Sequence, residues 1–332
     1  KNRVTAKDVA ERAGVGAMTV SRALRAPESV SEKLRAKIDQ AVADLGYVPN
    51  RLAGGLASSR TRTVPVIIPS LSNAVFPDIV EGISKVLQDS DLQILLGNTH
   101  YSIAEEEKLV SIYLSWSPDA VIITGLEHTE RTRRMLEAAN IPVVEIVDLG
   151  DNPIDMNVGL SHFGAGREMG EYLIGKGYRR IAFVGPQMDR DIRSAKRLDG
   201  LGAALRDAGV DPGPVISLDR PSTVRAGGEV VSALLSETPD ADAVFFANDD
   251  LAVGALLECQ RRGIDVPGKL AIAGFNGLDF GGEVVPRLTT IHTPRFDIGR
   301  RAAEMIVARL GGDDSVDGRM DLSFKLLKRE SA

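Results

Sequence analysis

The sequence has a single cysteine, Cys259, so it can form neither an internal disulfide nor a cysteine zinc cluster. Cys259 falls in a helical pattern and reads as buried filler. The four histidines, His100, His128, His162 and His292, are scattered without metal-ligand spacing, so no metal is expected. No run of about 18 apolar residues occurs, which argues against a membrane span. The first residues pass directly into a polar helix with no apolar leader pattern, and the expected compartment is the cytoplasm. Neither a G-x-S-x-G elbow nor a Walker phosphate loop is present. "GLGAAL" at 200–205 lies inside a helical pattern, not in a strand-to-helix turn, and is too weak for a dinucleotide site. No enzyme chemistry and no cofactor are expected.

What is present is an uneven charge distribution along 332 residues of net charge −6. Residues 1–62 carry 12 Lys/Arg against 6 Asp/Glu, while the rest carries 28 against 40. A basic head on an acidic body is the pattern of a nucleic-acid-binding module joined to something else. In the head, Thr5 and Asp8 fit a capping box, Val9, Ala10 and Ala13 share a face, and Gly14 can end the helix with positive φ. A second helix is predicted from about Ala17 to Leu24 with Val20 and Leu24 inward. A third follows Ser31, with Leu34, Ile38, Val42 and Leu45 as its apolar stripe and Gly46 as its stop. The tight Gly14-Val15-Gly16 corner gives helix-turn-helix geometry, so the second helix can enter a major groove. Ala17, Met18, Thr19, Ser21 and Arg22 are then the exposed candidates, with Arg22 able to fork onto guanine or phosphate. A generic helical hairpin is the plainer alternative.

From Thr63 onward, apolar runs at 64–68, 92–96, 120–123, 143–147, 181–184, 244–247 and 270–274 read as buried parallel strands. Helical stretches lie between them, for example 77–89, 166–176, 198–208 and 251–262. This repetition predicts two doubly wound α/β subdomains. Ligands on such sheets bind beyond the carboxyl ends of the strands. Those ends present Ser70, Ser72, Asp148, Asn248 and Asn276, with Arg197 nearby, a set suited to hydrogen-bonding a polyol. Phe76 is a candidate to pack on the carbon chain of a sugar, and Ser222 and Glu145 are weaker candidates. Glu145 reads equally as a solvent-facing edge residue, and Asn248 equally as a helix cap.

The stretches "VTAKDVAERAGVGAMTVSRAL" and "VSEKLRAKIDQAVADLGYVPNRLAGGLAS" resemble the DNA-binding head of the lactose-repressor/galactose-repressor (LacI/GalR) family of bacterial transcription regulators. "GYRRIAFVGP", "FFANDDLAVGAL", "LAIAGFNGLD" and "PRLTTIHTP" extend the resemblance over nearly the whole chain. Within that family, "IPSLSNAVFPDIVEGI" and "NDDLAVGALLECQRRG" resemble the gluconate-utilisation repressor branch. The resemblance implies a helix-turn-helix head at 1–48 and a hinge at 49–62. It also implies a bilobed periplasmic-binding-protein-like core at 63–332. Its first lobe would span about 63–159 and 292–319, and its second about 160–291 and 320–332. It assigns Thr5 and the second-helix residues to DNA, and it places Asn50, Arg51, Ala53 and the wedge residue Leu56 at the minor groove of a palindromic operator. Gly54-Gly55 weakens that hinge helix, so ordering only on DNA is expected. Arg197 matches the family's effector-binding arginine. Asn276 stands where many sugar-binding relatives carry Asp, which fits an anionic effector such as gluconate or another sugar acid. A homodimer is implied, with helix 76–89 at its interface and no leucine heptad after Ser331 for a tetramer. The rival function is a solute-binding receptor with the same core, which would have no use for a basic head.

Overall fold

The computed structural model describes residues 4–48 and 61–332. The chain divides into two compact units, 1–61 and 62–332. In the first unit, α1 (Ala6–Ala13) is closed at its start by the capping box. The Thr5 amide donates to Asp8 Oδ2 (2.7 Å), and the Asp8 amide donates to Thr5 Oγ1 (3.4 Å). Gly14, at φ +68°, ends α1 and donates its N–H back to the Ala10 and Glu11 carbonyls. This left-handed turn is why glycine stands there. Helix α2 (Ala17–Arg25) starts at Gly16 with no side-chain cap, and α3 (Glu32–Leu45) stops at Gly46, φ +60°. Val9, Ala10, Val20, Ala23, Ile38 and Ala41 are the buried centre of this unit. Leu24, expected inward, is half-buried at its margin.

The second unit holds two six-stranded sheets. The first is built from β1 (Thr63–Ile68), β2 (Gln93–Asn98), β3 (Val121–Thr124), β4 (Val143–Asp148), β5 (Met156–Leu160) and β11 (Arg319–Asp321), in the order β11-β5-β4-β3-β1-β2. The second contains β6 (Ile181–Pro186), β7 (Val215–Leu218), β8 (Ala243–Phe246), β9 (Ala271–Asn276), β10 (Thr289–His292) and β12 (Lys325–Leu327), in the order β12-β10-β9-β8-β6-β7. Strands buried on both faces need continuous apolar runs, and β3, β6 and β8 are buried at every residue. The sheets are parallel apart from one edge, where β12 runs antiparallel to β10.

Helices α4 (Val75–Leu87), α5 (Ile103–Leu114), α6 (Glu130–Ala139), α7 (His162–Gly175), α8 (Ile192–Asp207), α9 (Val224–Glu237), α10 (Asp249–Arg261) and α11 (Arg295–Leu310) cover the sheets. The chain passes between sheets after Leu160, after His292 and after Asp321. The expected lobe boundaries are therefore displaced by a residue or two. Leu160 and residues 320–321 belong to the first sheet, and His292 to the second, because strand pairing carries each ladder to its last hydrogen bond. No helix among the described residues is long and apolar enough to cross a membrane.

Helices α7 and α8 meet backbone to backbone. A Cβ on Gly166 would lie 2.0 Å from the Arg197 carbonyl oxygen, and one on Gly200 would lie 2.0 Å from that of Phe163. Gly200 in "GLGAAL" is thus a packing device. The same reciprocal contact joins α4 to α11 through Gly82 and Gly299, and α9 to α10 through Gly227 and Gly254. Replacing a mid-helix glycine by alanine ordinarily gains about 1 kcal/mol from helix propensity. At Gly200 the clash is expected to reverse the sign, giving a net loss of about 1–3 kcal/mol. Gly202→Ala, whose Cβ meets only the far end of the Arg206 side chain at 3.3 Å, serves as the clash-free control in urea unfolding and should show that gain of about 1 kcal/mol.

Candidate functional site

The outer face of α2 carries Ala17, Met18 and Arg22, all exposed, and Met18 is 79% accessible. Thr19 and Ser21 are half-buried beside them. An exposed large apolar side chain beside an arginine costs hydration in water but suits contact with base methyls and edges. Thr5 is committed to capping α1. Arg12 is drawn onto Asp44 (2.9 Å), tying α1 to α3. The hinge candidates Asn50, Arg51, Ala53 and Leu56 lie outside the described residues.

In the second unit, a polar cleft opens between the carboxyl ends of the two sheets. Ser70, Ser72, Asn73 and Tyr101 line it from the first lobe, and Gln187, Asp191, Ser222 and Asp250 from the second. Ser70 Oγ accepts from the amides of Ser72 and Asn73 (3.2 and 3.1 Å), which curls the β1–α4 loop into the cleft. Asn73 Nδ2 donates to Tyr101 Oη (3.2 Å). Tyr101 sits at φ +59°, a conformation held by its surroundings, and burial pushes its phenol pKa up.

Arg197 lies one layer deeper. Its guanidinium stacks 4.2 Å from the centre of the Phe275 ring and donates to Ser194 Oγ (2.7 Å). It also meets His162 Nδ1 at 2.9 Å. Burial lowers the Arg197 pKa to about 10, and burial together with that neighbouring charge drives the His162 pKa well down. His162 is therefore neutral, accepts at Nδ1 and carries its proton on Nε2. Arg197 Nε is a buried donor with no acceptor among the described residues, so this region favours an oxygen-rich ligand.

Asp148, at the end of β4, is buried and paired across the lobes with Lys196 of α8, which also bonds Glu127 (2.5 Å). Burial disfavours the Lys196 ammonium, but the two carboxylates outweigh it and raise its pKa. Burial raises the Asp148 pKa against the pull of Lys196. Asn248 caps α10, accepting from the Leu251 amide (3.3 Å), and its Nδ2 donates to Ser222 Oγ. Asn276 stands at φ +115°, with its carbonyl held by Arg295 and Thr293.

The family model described as bacterial regulatory proteins, lacI family, matches residues 5–50, and the periplasmic binding protein-like domain matches 171–332. The chain is 46% identical to the HTH-type transcriptional regulator GntR of Pseudomonas aeruginosa, covering 99% of this chain and 96% of that protein. It is 41% identical to GntR of Escherichia coli strain K12, covering 98% of each. This chain belongs to the LacI family. Among solved structures, a LacI-family transcriptional regulator from Silicibacter pomeroyi superposes with a TM-score of 0.94 at 44% identity, covering 99% of both chains. The lac repressor dimer bound to operator and the anti-inducer ONPF gives 0.81 at 25% identity, also over 99% of both.

As a LacI-family protein, the chain is a DNA-binding transcriptional regulator with a ligand-binding core. The cleft brings Ser70, Ser72 and Ser222 together, while Asp148, Arg197, Asn248 and Asn276 are buried and do not line it. Two expectations need correction. Phe76 does not line the cleft; it is 2% exposed and packs into the apolar core with Ile79. Glu145 does not face solvent. It is fully buried because its Oε2 accepts from the Ile154 amide (2.5 Å) and its Oε1 lies 3.3 Å from His128 Nε2. Sequence reasoning also missed Asp191, Arg193 and Lys196. Their signal was the i, i+3, i+4 recurrence of Arg193, Lys196 and Arg197 along α8.

His128 bridges Glu106 (2.7 Å) and Glu145 behind the cleft, with its side chain buried. Burial opposes protonation, but the two glutamates outweigh it and raise its pKa from 6.5 to about 9. A group whose folded pKa is raised stabilises fully below its unfolded value, and that stability is lost as pH rises through the folded value. The free energy of unfolding is expected to fall by on the order of 1–3 kcal/mol as pH rises from about 6.5 to above 9. His128→Gln should flatten that part of a urea-unfolding pH profile.

Proposed function

We propose that the protein is a dimeric, cytoplasmic repressor whose affinity for a palindromic operator is set by a sugar acid in the interlobe cleft, with D-gluconate as the leading ligand. The observation that carries this reading is a hydroxyl-lined cleft with Arg193 on the wall of the adjoining pocket, and Lys196 and Arg197 three and four residues further along the same face of α8. A polyol needs serine and asparagine partners, and an acid group needs a cation that can offer a forked or charged donor. Ser70, Ser72, Ser222, Asn248 and Asn276 supply the first, Arg197 the second, and Asp148 accepts from a hydroxyl. Asn276, a neutral side chain, spares the acid a repulsion.

In the head, Ala17, Met18 and Arg22 read the major groove, with Thr19 and Ser21 alongside, and Asn50, Arg51, Ala53 and Leu56 engage the minor groove at the operator centre. Two copies pair along α4 and the neighbouring edge strand β2, whose Leu96 is 42% exposed. Two heads then meet two half-sites. A ligand alters repression only by binding the two arrangements of the lobes with different affinity. The solute-receptor reading leaves the exposed apolar and basic face of α2 without a purpose.

Calorimetric titration of the full chain tests the ligand class. D-gluconate is expected to bind saturably, and D-glucose, which lacks the carboxylate, to give no heat above dilution. Equal binding of the two would remove the sugar-acid assignment.

A further inference from the structure

Every cation on the cleft face of α8 already has a partner. Arg193 lies 3.5 Å from Asp191, Arg197 is engaged by Ser194 and His162, and Lys196 holds both Asp148 and Glu127. The Lys196 cluster has two carboxylates for one ammonium. Each carboxylate opposes the other's ionisation, and a third negative group brought to the same ammonium adds to that repulsion, which the release of one carboxylate relieves. The two are not equivalent. The Asp148 side chain is 2% exposed and has no route to water, whereas the Glu127 side chain is 34% exposed at the loop after β3. Releasing Glu127 returns a carboxylate to solvent at small cost, but releasing Asp148 would strand a buried charge. Both carboxylates come from the first lobe and Lys196 from the second, so the exchange also removes one of the two ties between the lobes at this point.

We propose that Lys196, next to Arg197 on α8, is a second residue that selects carboxylate ligands, and that an acid binds by displacing Glu127 from it while Asp148 stays paired. This inference rests on the sugar-acid reading of the cleft. It names a specificity-determining residue outside the hydroxyl-binding set, and it gives the ligand's charge a direct hold on lobe-to-lobe contact.

The test is calorimetric titration of the full chain with D-gluconate, comparing wild type, Lys196→Met, Lys196→Arg and Glu127→Gln, with D-glucose as the uncharged probe. Lys196→Met should weaken gluconate binding about tenfold or more, the scale of a charge-assisted hydrogen bond. Lys196→Arg should recover most of that loss. Glu127→Gln, which removes the competitor, should tighten gluconate about threefold or more and create no affinity for glucose. A merely structural bridge would give the opposite result, with Glu127→Gln weakening binding or leaving it unchanged. That outcome overturns the proposal even if Lys196→Met fails to fold. Gluconate binding by wild type with all variants within about twofold overturns the exchange and leaves the sugar-acid reading standing. No gluconate binding by wild type overturns both.

Discussion

Asp148 and Lys196 pair across the boundary between the lobes. A buried carboxylate without a cation would take up a proton, and a buried ammonium without a carboxylate would lose one. The pairing therefore fixes where the end of β4 stands relative to α8. The pattern extends inward, with Arg197 held by Ser194, His162 and the Phe275 ring, and outward, with Arg193 beside Asp191. A cleft built from matched charges admits a charged ligand by exchange, so its occupancy and the contact between lobes are one equilibrium.

That charge row is placed by backbone contact. Gly166 and Gly200 let α7 and α8 approach until main-chain atoms touch, and Arg197 lies at the contact itself. His162, in the first turn of α7, is thereby brought against the Arg197 guanidinium. A methyl group at either glycine would move the arginine as well as the helix. Packing and ligand chemistry share the same few residues here, which limits how the site can vary.

The head was legible because its signals are local. A capping box, two glycines with positive φ and an apolar stripe each lie within one helix length. The strands with continuous apolar runs were equally plain. The half-buried β7 and the three-residue β11 and β12 carry no comparable run, and their places in the sheets come from pairing with distant strands. Glu145 was misread for the same reason, since its partners His128 and Ile154 reach it only through the register of β3, β4 and β5. Phe76 follows the polar loop 70–73 and could have faced either way; the packing of α4 turns it inward. Lys196 escaped notice because a lysine on a helix is ordinarily solvated, and its carboxylates lie 48 and 69 residues away.

The central claim is that the cleft and the head are energetically coupled. The most direct measurement is fluorescence anisotropy of a labelled palindromic duplex, selected by the protein itself from random sequence and titrated with and without saturating D-gluconate. Coupling free energies between sites are about 1–3 kcal/mol, or about 5- to 150-fold in affinity. The account predicts a change of that size with gluconate and none with D-glucose. An unchanged duplex affinity, with gluconate shown by calorimetry to fill the cleft, would contradict it.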